Sequence, residues 1–210
     1  MQFLSRLLFQ ITADCSRVFD PLTMAPEDWP GGLLPPLGEL DGEESFARGY
    51  VSWNESGIFV AAQIPRGGRL VGNRQRPDSG DCLQLWIDTN PEEGRRRADR
   101  HCYHFIILPQ VSGGDEPVAW QQHIRRARGR PPLCDPQQIQ VTVNQEEESY
   151  RILVGLPTPD CLHFTPQAGT EVGFNYLLND TSLGRQLWSC PQHADYAKDP
   201  SCWGRLRLVE

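Results

Sequence analysis

The chain has 210 residues, 39% of them hydrophobic, with 19 glycines, 18 prolines and a formal net charge of −7. That length carries one domain with a sizeable core, and the glycine and proline supply favours turns and short strands over long helices. The acidic balance argues against a nucleic-acid binder, and no stretch reaches the ~20 apolar residues of a membrane span.

The N-terminal "MQFLSRLLFQITADCS" carries Arg6 and Gln10 inside its apolar part. It lacks the clean apolar core of a signal peptide, so the expected location is cytoplasmic, or extracellular if the natural start lies elsewhere. Strand-like runs rich in β-branched and aromatic residues then follow in order. They are "LLFQIT" (7–12), "ARGYVSW" (47–53), "GIFVAAQI" (57–64), "CLQLWID" (82–88) and "CYHFIIL" (102–108). Further runs are "VAWQQHIRR" (118–126), "IQVTVN" (139–144), "YRILVGL" (150–156), "VGFNYLLN" (172–179) and "GRLRLV" (204–209). Turn chemistry separates them in "NESG", "PRGG", "NPEEG" and "VSGGDEP". Only "PTPDCLHF" has room for a helical turn. The fold class is therefore all-β, an antiparallel β-sandwich, with residues 1–210 as one domain. Segment 20–46, dense in proline and paired glycine, is a long excursion of that domain that wraps an edge or rims a site.

The two-residue period sorts strand faces. In "CLQLWID", Leu83, Leu85 and Ile87 share the core face, leaving Gln84 and Trp86 opposite. In "CYHFIIL", His104 stands opposite Tyr103 and Phe105. If the two strands are neighbours, Gln84, Trp86 and His104 form a polar and aromatic patch suited to a sugar or other small ligand. The alternative is a second packed face lying under segment 20–46.

Other chemistry finds less support. The seven cysteines are odd in number and dispersed, which does not suggest a disulfide framework, and the thiols are expected to be mostly reduced and structural. Cys190, His193 and Cys202 give zinc one close pair and no second. A Cys190–Cys202 bridge would need an exported protein. "GxSxG" and "HExxH" are absent, so the chain is read as no enzyme. The only methionines are Met1 and Met24, in the least patterned segments, which argues against haem. The arginine groups "RRRADR" (95–100) and "RRARGR" (125–130) are read as solvated loop charge.

The C-terminal "VGFNYLLND" followed by "LWSCPQHADYAKDPSCWGRLRL" resembles the closing signature of family 9 carbohydrate-binding modules. "GYVSWNESGIFVAAQI", "GDCLQLWIDTN" and "RILVGLPTPDCLHFTPQAGTEVGFN" are similar to earlier family segments, so the resemblance covers about residues 47–209. It implies a non-catalytic sandwich that grips a saccharide or polyol between two tryptophans, with polar groups on the hydroxyls. Carried over by position, one clamp aromatic corresponds to Tyr196, an amide position to His193, the strand carboxylate to Gln84, and an arginine to His104 or Ile106. The second clamp position holds Asp78, so Trp86, or Trp29 as a lid, would have to replace it. Trp188 and Trp203 match structural aromatics at the loop ends. The resemblance also makes a structural calcium conceivable, with Asp180, Asp195 and Asp199 as candidates; no other cofactor is expected. The alternative is a sandwich that has lost sugar binding and serves as a structural domain or meets a protein partner.

Overall fold

A computed structural model describes residue 6 and residues 8–110 and 116–210. Among them eleven strands form two sheets. In chain order they are β1 (Thr12–Ser16), β2 (Arg48–Asn54), β3 (Gly57–Ile64), β4 (Cys82–Asp88), β5 (Cys102–Leu108) and β6 (Val118–Gln121). There follow β7 (Gln140–Gln145), β8 (Tyr150–Pro157), β9 (Glu171–Asp180), β10 (Gly184–Leu187) and β11 (Gly204–Val209). The larger sheet runs β1-β11-β9-β4-β5-β6 with β10 also on β9, and the smaller runs β2-β3-β8-β7. All pairings are antiparallel except β1 with β11. The fold is the expected all-β sandwich.

Alternation builds the core between the sheets. Leu83, Leu85 and Ile87 of β4 meet Val60, Ile152 and Val154 of the smaller sheet, with Tyr103, Phe105, Phe174 and Trp188 around them. The chain passes between sheets after β1, where Arg17 donates its N–H to Val209 at 2.9 Å and Val18 donates to the Trp53 carbonyl at 2.9 Å.

Three sequence expectations shift. The first strand lies at residues 12–16 rather than 7–12, because its partner is β11 and the register starts at Thr12 opposite Arg205. Residue 7 lies outside the described residues, and Leu8 and Phe9 are exposed. The run 118–126 pairs only to Gln121, where the ladder with β5 ends. Strand β10 was not expected, since "GRQL" has no apolar alternation; its ladder on β9 makes it a strand. The expected turn 111–117 lies mostly outside the described residues.

Strand β9 is the hinge of the design. On one side it pairs with β4 along its length. On the other side its first residues, Glu171–Phe174, take β11 and its last, Leu177–Asp180, take β10. The chain therefore leaves the sheet at Trp188 and returns at Gly204. A Cβ on Gly204 would lie 2.8 Å from Trp188 Cζ3, so glycine lets the returning strand close on that ring.

Segment 20–46 holds two 3-10 turns, Pro26–Asp28 and Leu37–Asp41. It covers the outer face of the smaller sheet, where Trp29 packs with Val18, Tyr50, Phe59, Ala61 and Leu153. Five cysteines are free thiols, in keeping with the expectation that most stay reduced, and one disulfide joins Cys134 to Cys161. Spacing could not reveal it, because the two residues meet only when the β6–β7 and β8–β9 connections fold together. The free thiols are structural: burial pushes Cys82, Cys102 and Cys190 up to about 12, far from reactive thiolates.

Candidate functional site

The outer face of the larger sheet carries the predicted strand residues. β4 and β5 are neighbours, and Trp86 pairs with His104 in register, so Gln84, Trp86 and His104 do share one face. That face is covered. Trp86 is 1% exposed, Gln84 5% and His104 6%. The cover is not segment 20–46 but three loops that follow β4, β6 and β10. Their residues Ala98, Ile124, Ala127, Tyr196 and Trp203 pack on Trp86, Cys102 and Leu177. The loops also hold one another: Arg128 donates its N–H to Ala98 at 2.8 Å, and Arg97 Nε donates to the Arg126 carbonyl at 2.5 Å.

Beneath the cover runs a short polar chain. The Trp86 and His104 rings stack at 4.4 Å with 11° between planes. His104 Nε2 lies 2.9 Å from Gln84 Oε1, and Gln84 Nε2 donates to Asp78 Oδ1 at 2.6 Å. With the amide nitrogen committed to Asp78, the amide oxygen must accept, which places the imidazole proton on Nε2. Burial pulls the His104 pKa down to about 3, so the ring is neutral and binds as an uncharged donor. Among the described residues, Trp86 Nε1 is a polar atom of this face that is buried without a hydrogen-bond partner.

Tyr196 sits at the rim. Its ring meets Trp86 edge-on at 5.3 Å and 83°, and its backbone carbonyl accepts from Trp203 Nε1 at 2.7 Å. The ring is half-buried, not a free platform. Burial, then the nearby Asp78 carboxylate, raises its hydroxyl pKa. Arg185, exposed on β10, donates to the Asp78 carbonyl at 2.9 Å and to Asn179 Oδ1 at 2.9 Å. His193 is exposed on the same loop and makes no ring contact or hydrogen bond with the other four among the described residues. The structure thus brings Gln84, Trp86, His104 and Tyr196 together and leaves His193 apart. Trp29 lies on the other sheet and cannot cover this face.

Two residues not singled out as ligand groups by sequence belong to the exposed part of the face. Trp120 of β6 is half-buried against Cys82, Ile106 and Leu108, and Ile106 pairs with Gln84. Asp78, at the lost clamp position, is exposed and holds Gln84. Trp120 was legible only as a strand aromatic. Its face follows from alternation once β6 is known to pair with β5. The rim therefore offers two half-buried rings, a carboxylate and a guanidinium around a sheet floor, which suits hydroxyl-rich rings with apolar C–H faces.

The carboxylates proposed for calcium do not converge. Asp195 pairs with Lys198 at 2.8 Å, and Asp199 caps its own turn, accepting from Ser201 N–H at 2.9 Å. Asp180 lies at the far end of β9, bonded to Arg66. No group of three or more His, Cys, Asp or Glu suited to a metal occurs among the described residues. Cys190 and His193 do not converge either, since Cys190 is buried against Asn175 Nδ2 at 3.4 Å while His193 is exposed. The arginine group 95–100 is only partly solvated. Arg95 is nearly buried and links Asp88, Glu92 and Asp99 at 3.4, 2.9 and 3.0 Å, tying the first covering loop to β4.

This architecture is a two-sheet β-sandwich, similar in fold to family 9 carbohydrate-binding modules. No family model and no curated protein matches the chain. Among solved structures, it is similar to a family 9 carbohydrate-binding module from Caldicellulosiruptor kristjanssonii in complex with cellotriose. The TM-score is 0.64 at 14% identity, covering 94% of this chain and 93% of that one. The same kind of module from that organism, in complex with glucose, gives a TM-score of 0.61 at 16% identity, covering 94% of each chain. A putative carbohydrate-binding protein from Bacteroides uniformis gives 0.55 at 12% identity, covering 94% of this chain and 99% of that one. At these identities the likeness is one of fold.

Proposed function

We propose that the chain is a non-catalytic saccharide-binding module whose site is the rim of the outer face of the larger sheet. Tyr196 and Trp120 are its aromatic surfaces, and Asp78 and Arg185 its polar groups, with Asp78 held from beneath by buried Gln84. The observation that carries this reading is the placement of Tyr196. Its ring is held against buried Trp86 while its hydroxyl stays within electrostatic reach of Asp78 and Arg185. The likeness to modules solved with cellotriose and glucose supports the ligand class. The non-catalytic reading rests on the likeness to carbohydrate-binding modules, and the buried groups named above add no catalyst to it. A neutral histidine at about 3 and thiols at about 12 supply neither base nor nucleophile at neutral pH.

One stacked ring adds roughly 1 kcal/mol beyond its area, so binding in the ~mM range is expected. Titration of the isotope-labelled protein with glucose and with cellotriose should shift the amides of Asp78, Trp120 and Arg185. Tyr196→Ala and Trp120→Ala should each weaken that response about fivefold or more. Unmoved spectra with both sugars and with a broad glycan panel would sink the reading. A second reading then takes over, a sandwich serving as a structural or protein-interaction domain. The observation favouring it is that Gln84, Trp86 and His104 lie under the three loops.

A further inference from the structure

At the end of the sandwich where β3 and β8 face the ends of β4 and β9, two carboxylates of the larger sheet are fully buried beside one arginine of the smaller. Asp81 precedes β4 and Asp180 closes β9; Arg66 follows β3 and Tyr150 opens β8. Both aspartate side chains are 0% exposed and that of Arg66 is 12% exposed. Arg66 reaches each carboxylate with a different nitrogen, Nη2 to Asp81 Oδ2 at 2.8 Å and Nε to Asp180 Oδ2 at 2.7 Å. Its Nη1 donates to the Arg69 carbonyl at 3.2 Å.

The remaining lone pairs are also taken. Asp81 Oδ2 accepts from Val71 N–H at 2.7 Å, and its Oδ1 from the N–H and hydroxyl of Thr181 at 2.7 and 2.9 Å. Asp180 Oδ2 accepts from the Tyr150 hydroxyl at 2.9 Å, and its Oδ1 from the N–H groups of Ser182 and Leu183 at 2.8 and 2.9 Å. A carboxylate offers about four acceptor positions, so neither group has one left for a metal ion. Burial alone would raise the Asp180 carboxyl; the bonds from Arg66, the turn and Tyr150 outweigh it and hold it below the usual range.

We infer that the Arg66 guanidinium takes the place of a structural divalent cation in this chain. It joins the two sheets through Asp81 and Asp180 and leaves the fold independent of calcium. Two buried carboxylates facing one space need a positive charge there. A calcium ion supplies it through oxygen ligands at 2.3–2.6 Å; here the charge is carried on the chain itself. A corollary follows from the same atoms. Removing the guanidinium frees Asp81 Oδ2, Asp180 Oδ2 and the Arg69 carbonyl toward one vacated space, with the Tyr150 hydroxyl beside it. That is an all-oxygen set of the kind calcium accepts.

The test compares melting temperatures in EGTA and in calcium chloride for the wild-type chain and for Arg66→Ser. The wild type should melt at the same temperature in both. Arg66→Ser should melt on the order of 10 °C lower in EGTA, as for a buried pair broken on one side, and regain much of that loss in calcium. Asp180→Asn added to Arg66→Ser should abolish the regain, which assigns it to this end of the sandwich. A wild-type melting point that drops in EGTA overturns the inference, and so does an Arg66→Ser protein that folds but ignores calcium. Should Arg66→Ser fold in neither buffer, Arg66→Lys decides, since its single ammonium cannot fork to both carboxylates. A clear fall in its melting point supports the inference, and an unchanged one overturns it.

Discussion

Acid should loosen this sandwich through one side chain before the carboxylates matter. His104 is buried and neutral, with its pKa pulled down to about 3, whereas in the unfolded chain it titrates at about 6.5. A depressed histidine means the unfolded state binds the extra proton first. Stability from this group is therefore complete above pH 6.5 and is lost as pH falls from there toward 3. Between pH 7.5 and 5 the loss works out at about 2 kcal/mol, and any folded value below about 4 gives nearly the same figure, which makes pH 5 the informative point. For a domain of this size that is a fall of about 4–8 °C in Tm. The comparison variant is His104→Gln, which keeps a donor toward Gln84 but has nothing to titrate. Thermal melts of both proteins at pH 7.5 and 5.0 isolate the histidine, because every other group cancels in the difference. Wild type should lose about 2 kcal/mol more than His104→Gln over that interval. Equal losses would refute the reasoning, and with it the neutral, covered state of the Trp86–His104 stack.

The other predictions concern packing and cross-linking. Trp188 is buried against Phe174 at 5.6 Å and donates from Nε1 to the Pro35 carbonyl at 3.2 Å. Trp188→Ala should cost about 3–5 kcal/mol in urea unfolding, and a loss below about 1 kcal/mol would mean the ring is not part of the core. The Cys134–Cys161 bridge closes a span of 27 residues. Cys134→Ser should lower stability by about 3–4 kcal/mol, and peptide mapping without reductant should show this linkage with Cys190 and Cys202 unlinked.

How far the sequence alone reaches can be argued from particular residues. Strands β2 to β5, β8, β9 and β11 are legible because their β-branched and aromatic runs end at turn residues, and register with neighbours only refines them. β10 is illegible because Gly184, Arg185 and Gln186 carry no strand pattern of their own; Gly184 has φ 101° and the ladder on β9 does the rest. At the site, alternation places Gln84, Trp86 and His104 on one face correctly. It cannot say whether that face is wet. A polar pair such as Gln84 and His104 reads as half-exposed, yet here each satisfies the other and both are buried at little cost. What covers them comes from loops far apart in sequence, so only tertiary structure reveals that Tyr196 lies on Trp86 rather than standing free.

The forked pairing of β9 has a consequence for how such a fold can diversify. β10 and β11 are each anchored to β9 by their own ladder, so the segment between Trp188 and Gly204 behaves as a cassette held at both ends. Its length enters the folding free energy only logarithmically, with a doubling costing about 0.6 kcal/mol. Insertions or grafts between Pro191 and Lys198 can thus reshape the rim over Trp86 while both ladders keep their register. The same scaffold can present many different surfaces from one seam in the sheet.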